Sequence, residues 1–592
     1  MLKLISLSGE MGERLTGGLA KLGGSDMKHL LLVFIFFALL SCNNATNSTK
    51  NCLPQEKEKS LVALGQLWGF LKYHHPAVTG GKLDWDTELI KIIPAILNAQ
   101  NEEEWKNILD DWVDNLPSVA VTQKDTIPLS VVCVKADYGE LFNTVYFNQK
   151  TIDKLQFILN NAQITENHFI KINTRRTSNE PLVTITNEPT YEDMAFPELS
   201  YRILALFRYW NIVNYFFPCR ELCDTKWSEV LAEMMHEFFC AENQKQYSLA
   251  CLRLCSKIDD SHGYVFYSDT TMTDEIHGRR IVPFKTKFIE NKLVVTAFSN
   301  DSTGIEKEIS VGDIITTING EKVESVVERL FPYTPASNYD GKLRNIAGRI
   351  LQTNDPVLTV TFFQEGKPVK KTIQTYIKEQ LKMPNYYNSK IGEKGYNIIQ
   401  DSIGYIFPAN CKSEERESEV ARIMSNTKGL IIDLRCHPSD YIASSIAPYL
   451  MKNWGYYCRQ SFSNISVPGY FLLGREYPLP SDEIGSYPYK VVVIVNEYTQ
   501  SQAEDHTFFY YLAPRVTIIG STTAGANGAV FSFSLPGGIT TYMTGIGMYY
   551  PDGTCMQRVG VKIDEEIKPT IAGIKKGKDE PLEKAIEIVR EK

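Results

Sequence analysis

The sequence predicts a multidomain α+β protein, with helical units towards the N terminus, a small β-rich module in the middle and an α/β core at the C-terminal end. Three observations carry this. The chain has 592 residues, well beyond the size at which a single hydrophobic core stops growing. A helical segment recurs after a fixed interval in the first half. From residue 400 onward, continuous apolar runs alternate with amphipathic stretches, the pattern of a parallel sheet covered on both faces. Hydrophobic residues make up 43% of the chain and charged residues 22%, so it reads as globular protein and not as a disordered one. A net charge of −8 without any basic stripe argues against a nucleic-acid partner.

The first 42 residues are expected to lie outside the fold. From Met27 the chain reads MKHLLLVFIFFALLSCNN, a basic start followed by eleven apolar residues, Leu30 to Leu40. That run is too short to span a bilayer and suits the core of a secretion signal. Leu39-Leu40-Ser41-Cys42 resembles a bacterial lipobox, which implies cleavage before Cys42 and a lipid on its sulfur. Residues 1–26 then form an upstream extension, 27–42 a lipoprotein signal peptide and 43–58 a polar tether. The expected location is the bacterial cell envelope, lipid-anchored to the membrane and periplasm-facing. Of the twelve cysteines, Cys219/Cys223 and Cys251/Cys255 are spaced as CxxxC without zinc-ligand companions, and read as buried free thiols.

An internal repeat organises the first half. LWGFLKYHHP…DWDTEL and YWNIVNYFFP…KWSEVL align without a gap, pairing Trp68 with Trp210, Tyr73 with Tyr215, Pro76 with Pro218 and Trp85 with Trp227, each 142 positions apart. Both copies continue into helical periodicity over 86–113 and 228–257. The first unit with its strand-rich insert spans 59–190, the alternation in LSVVCVKA and NHFIKINTR reading as sheet. The second unit spans 191–282. The copies differ at one chemically loaded position: the second ends KIDDSHGYVF with His262, where the first has Ala120. Packing of the helical unit therefore does not require that histidine.

Residues 283–380 change character to short strands, with an Asn319-Gly320 hairpin signal. GDIITTINGEKV resembles the corresponding segment of PDZ domains, which bind peptides by adding them as a strand to a sheet edge.

The core, 385–592, alternates SIGYIF, GLIIDLR, KVVVIVN and VTIIGS with helices over 413–427, 440–453 and 501–513. Chemistry in such a sheet sits beyond the carboxyl ends of the strands. There KVVVIVNEYTQSQAED carries Ser501 between a buried strand and a helix, the arrangement that lifts a hydroxyl above a sheet and aims helix amides at a developing oxyanion. Ser501-Gln-Ala-Glu504 is equally a capping box, worth ~1 kcal/mol to the helix and nothing to catalysis. Thr499-Gln-Ser-Gln502 is a second one, and a cap at Thr499 would leave the Ser501 hydroxyl free.

Taken in order, GLIIDLR, strand-x-x-S-x-A-E-helix, the glycine-rich GSTTAGANG and the closing QRVGVKIDEEIKP resemble the tail-specific, or C-terminal processing, serine peptidases, whose branches include the tricorn core. With the DSH segment and the PDZ-like module, the resemblance runs from about Glu192 to the C terminus. It implies a ClpP/crotonase-like α/β protease core, with Ser501 as nucleophile and the amide of Gln502 as one oxyanion donor. The second donor would come from the loop after Arg435, at Cys436 or His437, since Pro438 has no N–H. One branch of the family uses a lysine base in the glycine-rich loop, where this chain has Ala526. The tricorn-like branch uses a histidine of the helical domain, which Ser261-His262 fits. His437 competes for the role, whereas His506, about 500° round the helix from Ser501, points elsewhere. Asp259 and Asp260 are candidates to orient His262. Gln557 stands where relatives carry a glutamate, able to hold a ring tautomer but not to stabilise an imidazolium as a carboxylate does.

The expected function is therefore that of a lipid-anchored serine endopeptidase cleaving peptides or unfolded tails, with no metal or cofactor. The alternative is a non-catalytic lipoprotein that holds peptides or glycans on the same scaffold.

Overall fold

The computed structural model describes residues 52–591 apart from short internal stretches at 123–126, 165, 175–180, 302, 385–390, 452–454 and 479–485. The expected extension, signal peptide, lipidation site Cys42 and most of the tether lie outside the described residues. Leu53–Lys592 gather into one compact unit. The first helix among the described residues runs Gln55–His74, and it includes the last residues expected as tether. No helix among the described residues is long and apolar enough to cross a membrane.

The α/β core is built on a six-stranded sheet in the order Tyr396–Ile399, Ile403–Ile406, Leu430–Asp433, Val491–Val495, Val516–Gly520, Glu565–Glu566. The first pair is antiparallel and the others are parallel. All residues of the Leu430–Asp433 and Val491–Val495 strands are buried, because successive side chains feed opposite faces. Leu430, Ile432, Val491, Val493 and Val495 pack under Ile446, Ala503, Phe508 and Phe509. Ile431, Val492 and Ile494 meet Leu582, Ala585, Ile588 and Val589 of the last helix, Glu580–Arg590. Coverage of both faces explains the unbroken apolar runs in the sequence.

The helical region forms a separate cluster centred on the two tryptophan-marked segments. Trp68 Nε1 donates to Trp85 O at 3.1 Å and Trp85 Nε1 returns the bond to Trp68 O at 3.0 Å. Trp210 and Trp227 make the same reciprocal pair at 2.9 and 3.0 Å. Each indole thus fills the core and satisfies its N–H on the backbone of the other helix. The insert has strands where alternation predicts them, at Val132–Val134 and Ile170–Thr174, the latter paired with Pro181–Ile185, but between them Gln149–Asn161 is a helix. Its Ile152, Leu155 and Ile158 are buried at a three-residue spacing that alternation-based reading passed over.

Between the helices lies a buried ionic quartet. Lys72 contacts Glu188 at 2.6 Å and Asp86 at 3.9 Å, while Arg208 contacts Asp86 at 2.5 Å and Glu188 at 2.7 Å. Burial alone would raise the Asp86 pKa, but Arg208 and Lys72 outweigh it and hold the carboxyl below its ordinary value. Two cations against two carboxylates leave no net charge in the dry interior.

Residues 284–377 hold a β-sheet with the helices Val323–Leu330 and Tyr339–Ala347 against it. The Asn-Gly hairpin expected there is present, pairing Ile318 with Glu321, with φ of 51° at Asn319 and 85° at Gly320. Cys219, Cys223, Cys251 and Cys255 are free thiols.

One small sheet decides the site. The core hairpin Val530–Leu535/Ile539–Thr544 takes Tyr264–Tyr267 as a third, outer strand. Phe531, Phe533, Leu535, Ile539 and Met543 of that hairpin enter the helical cluster. The segment just before the third strand, Ser261-His262-Gly263, is thereby delivered to the core.

Candidate active site

Ser501 follows the carboxyl end of the Val491–Val495 strand and is the N-cap of the Gln502–Tyr511 helix, with φ 56° and ψ −119°. A non-glycine residue there is strained by about 1–3 kcal/mol and must be held by its surroundings. Ser501 N–H donates to Ala526 O at 2.9 Å and reaches Glu504 Oε2 at 3.3 Å. Its hydroxyl sits at the capping-box position towards the Glu504 N–H without closing a full side-chain cap bond. Thr499 does not cap this helix: its hydroxyl donates to Leu434 O at 2.7 Å and accepts from Asn496 N–H at 3.0 Å. It ties two strand ends together instead, so the second capping-box reading is corrected.

Glu504 does far more than a capping-box residue. Fully buried, it accepts from Thr523 Oγ1 at 2.5 Å, Gly525 N–H at 2.8 Å and Ala526 N–H at 3.0 Å, besides Ser501 N–H. Burial pushes its pKa up to about 7, and those four donors pull against the rise. Since every partner is a donor, the site fits the ionised carboxylate. The serine turn and the glycine-rich loop are therefore fastened to one buried oxygen pair. Gly525, at φ 66°, has no room for a side chain, because a Cβ would lie 2.8 Å from the Arg558 backbone.

Two hydrogen bonds tie the residue before His262 to the serine turn and the glycine-rich loop, and a third holds Asn338 to the same loop. Gln500 Nε2 donates to Ser261 O at 3.0 Å, Ser261 Oγ donates to Ala524 O at 2.8 Å, and Asn338 Nδ2 donates to Thr523 O at 2.8 Å. The Ser261 hydroxyl also accepts from Ser337 N–H at 2.9 Å, so it is occupied in positioning. The imidazole Nδ1 lies 2.8 Å from Thr544 Oγ1 and 3.8 Å from Asp260 Oδ1. Its Nε2 makes no hydrogen bond among the described residues. Burial lowers the His262 pKa below the ordinary histidine value, Asp260 opposes this, and the nearby His437 and Arg344 add to it. The ring is neutral near pH 7 and able to accept a proton.

Asp260 holds the histidine's surroundings. Fully buried, it accepts from His262 N–H at 3.0 Å, Thr544 N–H at 2.7 Å and Gln557 Nε2 at 3.1 Å. Gln557 thus bonds to the carboxylate beneath the ring and not to the ring. Asp259, at φ 47°, faces away, accepting from Asp224 N–H at 2.8 Å and lying 3.7 Å from Lys342. Thr544 was not found by sequence reasoning, and the only signal for it was its place in an alternating strand.

The loop after the Leu430–Asp433 strand is clamped by Arg435, which bonds to Asp433 at 2.7 and 2.9 Å and to Asp579 at 2.7 and 2.9 Å. The Cys436 side chain turns into the core, while His437 is exposed with Nδ1 3.1 Å from Pro438 O. Among the described residues the backbone N–H groups of Gln502, Cys436 and His437 make no hydrogen bond. His506 is buried, with neither ring nitrogen partnered among the described residues, and packs edge-on to Tyr441 at 4.9 Å.

Residues 402–567 match the family model of peptidase family S41. They are a peptidase family S41 domain. That family comprises serine-type peptidases, and the S41 domain of this chain contains Ser501, Glu504, Ala526, Thr544 and Gln557. His262 and Asp260 come from outside it. The fold is similar to that of mature CPAF in complex with lactacystin, at 13% identity and a TM-score of 0.52 over 66% of this chain and 98% of that one. Mature CPAF alone matches at 14% identity and a TM-score of 0.51, over 66% and 97% of the two chains. The photosystem II D1 C-terminal processing protease matches at 15% identity and a TM-score of 0.37, over 63% and 96%, too loosely to carry an argument. None of the curated proteins matches in sequence.

Proposed function

We propose that the protein is a serine endopeptidase acting on peptides or unfolded tails of proteins, anchored by a lipid on Cys42 at the periplasm-facing side of a bacterial envelope membrane. The observation that carries the catalytic part is that Gln500, one residue before the strained Ser501 above the parallel sheet, donates to the carbonyl of Ser261, the neighbour of the buried His262. In this reading Ser501 Oγ attacks the scissile carbonyl carbon while its proton passes to His262 Nε2. Nδ1–H donates to Thr544 Oγ1, which fixes the tautomer that leaves Nε2 free. The tetrahedral oxyanion takes hydrogen bonds from Gln502 N–H and from Cys436 or His437 N–H. As the C–N bond breaks, His262 returns the proton to the leaving amine, and water then releases the acyl group by the same steps in reverse.

No metal or cofactor enters the scheme. The lipid anchor rests on the lipobox resemblance alone, and metabolic labelling with a fatty acid in the wild type and in Cys42→Ala tests it: incorporation in both would remove the anchor. For the chemistry, the test is turnover of an unfolded protein by the wild type beside Ser501→Ala and His262→Ala. Loss in both variants is expected, and turnover in either would exclude the role assigned to that residue. Tight peptide binding without turnover by the wild type would move the protein to the non-catalytic alternative.

A further inference from the structure

Three aromatic rings stand open to solvent on the small sheet that delivers His262. Tyr264 is 49% exposed and Phe266 52%, and Tyr542, half-buried, lies directly opposite Tyr264. The rings form one continuous surface, with Tyr264 and Phe266 centroids 4.4 Å apart and Phe266 and Tyr542 centroids 5.6 Å apart. Side chains two apart on a strand share a face, so Tyr264 and Phe266 point to one side, and His262 lies in the turn that leads into this strand. Thr544 and Tyr542 share a face in the same way on the neighbouring strand. The His262–Thr544 contact of 2.8 Å is thus the inner end of a row whose outer end is aromatic.

Resting on the catalytic reading above, we infer that Tyr264, Phe266 and Tyr542 are a specificity subsite that takes one bulky apolar side chain of an extended peptide substrate. Spacing supports this. On the neighbouring strand Tyr542 stands two residues from Thr544, roughly 7 Å at ~3.3 Å per residue, and Phe266 packs on Tyr542 with centroids 5.6 Å apart, so the rings begin about two to four extended residues from the His262–Thr544 contact. A side chain seated on these rings therefore belongs to a residue two to four positions from the cleaved bond. The strand carrying two of the rings is the outer one of its sheet, so a backbone edge unpaired among the described residues runs beside them for the peptide main chain. Contiguous exposed aromatic surface is uncommon on soluble protein without a partner, and continuity with the histidine makes substrate that partner. Unfolded chains present bulky apolar residues that folded proteins bury, which matches the expected substrate class.

The test is a pair of peptide series identical except for phenylalanine or alanine at each position near the cleaved bond. The wild type is expected to prefer phenylalanine at one position, two to four residues away, by at least tenfold in kcat/KM. Phe266→Ala and Tyr264→Ala reduce that ratio below threefold, and Phe266→Tyr restores it. Because both peptides meet the same protein, a variant that merely folds poorly lowers both rates and leaves the ratio intact. An unchanged ratio in both alanine variants overturns the subsite. If the wild type cleaves nothing, the catalytic reading fails, and the same ratio is read as relative Kd of the two peptides by fluorescence anisotropy. Its collapse in Phe266→Ala then upholds the subsite, whereas absence of binding or of selectivity overturns it. Sedimentation of the wild type as a dimer that Phe266→Ala disperses assigns the rings to a second copy of the chain and also overturns it.

Discussion

His262 Nδ1 lies 2.8 Å from the Thr544 hydroxyl and 3.8 Å from the Asp260 carboxylate, so the ring's direct partner is a neutral hydroxyl. The carboxylate acts one step back. It fixes Thr544 through its backbone N–H at 2.7 Å and the histidine through its own N–H at 3.0 Å. A neutral hydroxyl orients the ring but stabilises an imidazolium less than a bonded carboxylate does. Thr544→Val is expected to lower kcat by about 10–100-fold with little change in KM, and Asp260→Ala by about 100–1,000-fold. Steady-state kinetics on one peptide checks this, and an undiminished kcat in Thr544→Val would show that the ring is held otherwise.

The pH profile carries a second expectation. Since burial depresses the His262 pKa below its ordinary value of 6.5, the neutral base persists as the solution becomes more acidic. The acid limb of kcat/KM should therefore fall below pH 6.5, and a midpoint above that would contradict the burial of the ring.

Acid should also weaken the fold through His506. Its burial, aided by the nearby His437, brings its pKa down to about 3. The unfolded chain takes up this proton near pH 6.5 while the folded chain does not, so stability is lost as pH falls from there towards 3, by up to about 1.4 kcal/mol per unit. Denaturant midpoints measured across this range should drop less steeply in His506→Phe than in the wild type.

Glu504 offers a fourth test. An amide cannot accept from four donors at once, so Glu504→Gln leaves at least one buried N–H or O–H unpaired, at about 1–3 kcal/mol each. A lowered Tm together with reduced Ser501 reactivity is expected. Loss of stability with full reactivity would mean that the glycine-rich loop does not hold the serine turn.

The ionic quartet should respond asymmetrically. Removing one charge, as in Asp86→Asn, strands a buried cation and is expected to cost about 3–5 kcal/mol. Replacing Lys72 and Glu188 together by apolar residues of similar size should cost less than either single change. Equilibrium unfolding of Asp86→Asn, the two single replacements and the double replacement reads the difference.

Much of the core was legible because its strands are buried on both faces. Val491–Val495 and Leu430–Asp433 spell themselves as unbroken apolar runs, and the serine at the end of the first is marked by the helix that follows. The repeat comparison separated His262 from its packing context, since Ala120 fills the equivalent place. What the sequence hid is relational. Thr544 is an ordinary strand threonine until Tyr264–Tyr267 adds to the core hairpin, a pairing across some 280 residues that no local pattern announces. Glu504 is a capping-box glutamate until the glycine-rich loop folds over it. The helix at Gln149–Asn161 lies between two alternating strand segments, and its apolar stripe of Ile152, Leu155 and Ile158 is a short signal beside theirs.

The central claim is that the Ser501 hydroxyl is the nucleophile and His262 its base. The most direct measurement is labelling by a serine-directed phosphonate, with the modified residue mapped by mass spectrometry, in the wild type and in His262→Ala. The account predicts label on Ser501 in the wild type and at least 100-fold slower labelling in His262→Ala. Label on another residue, or equal rates in the two proteins, would contradict it.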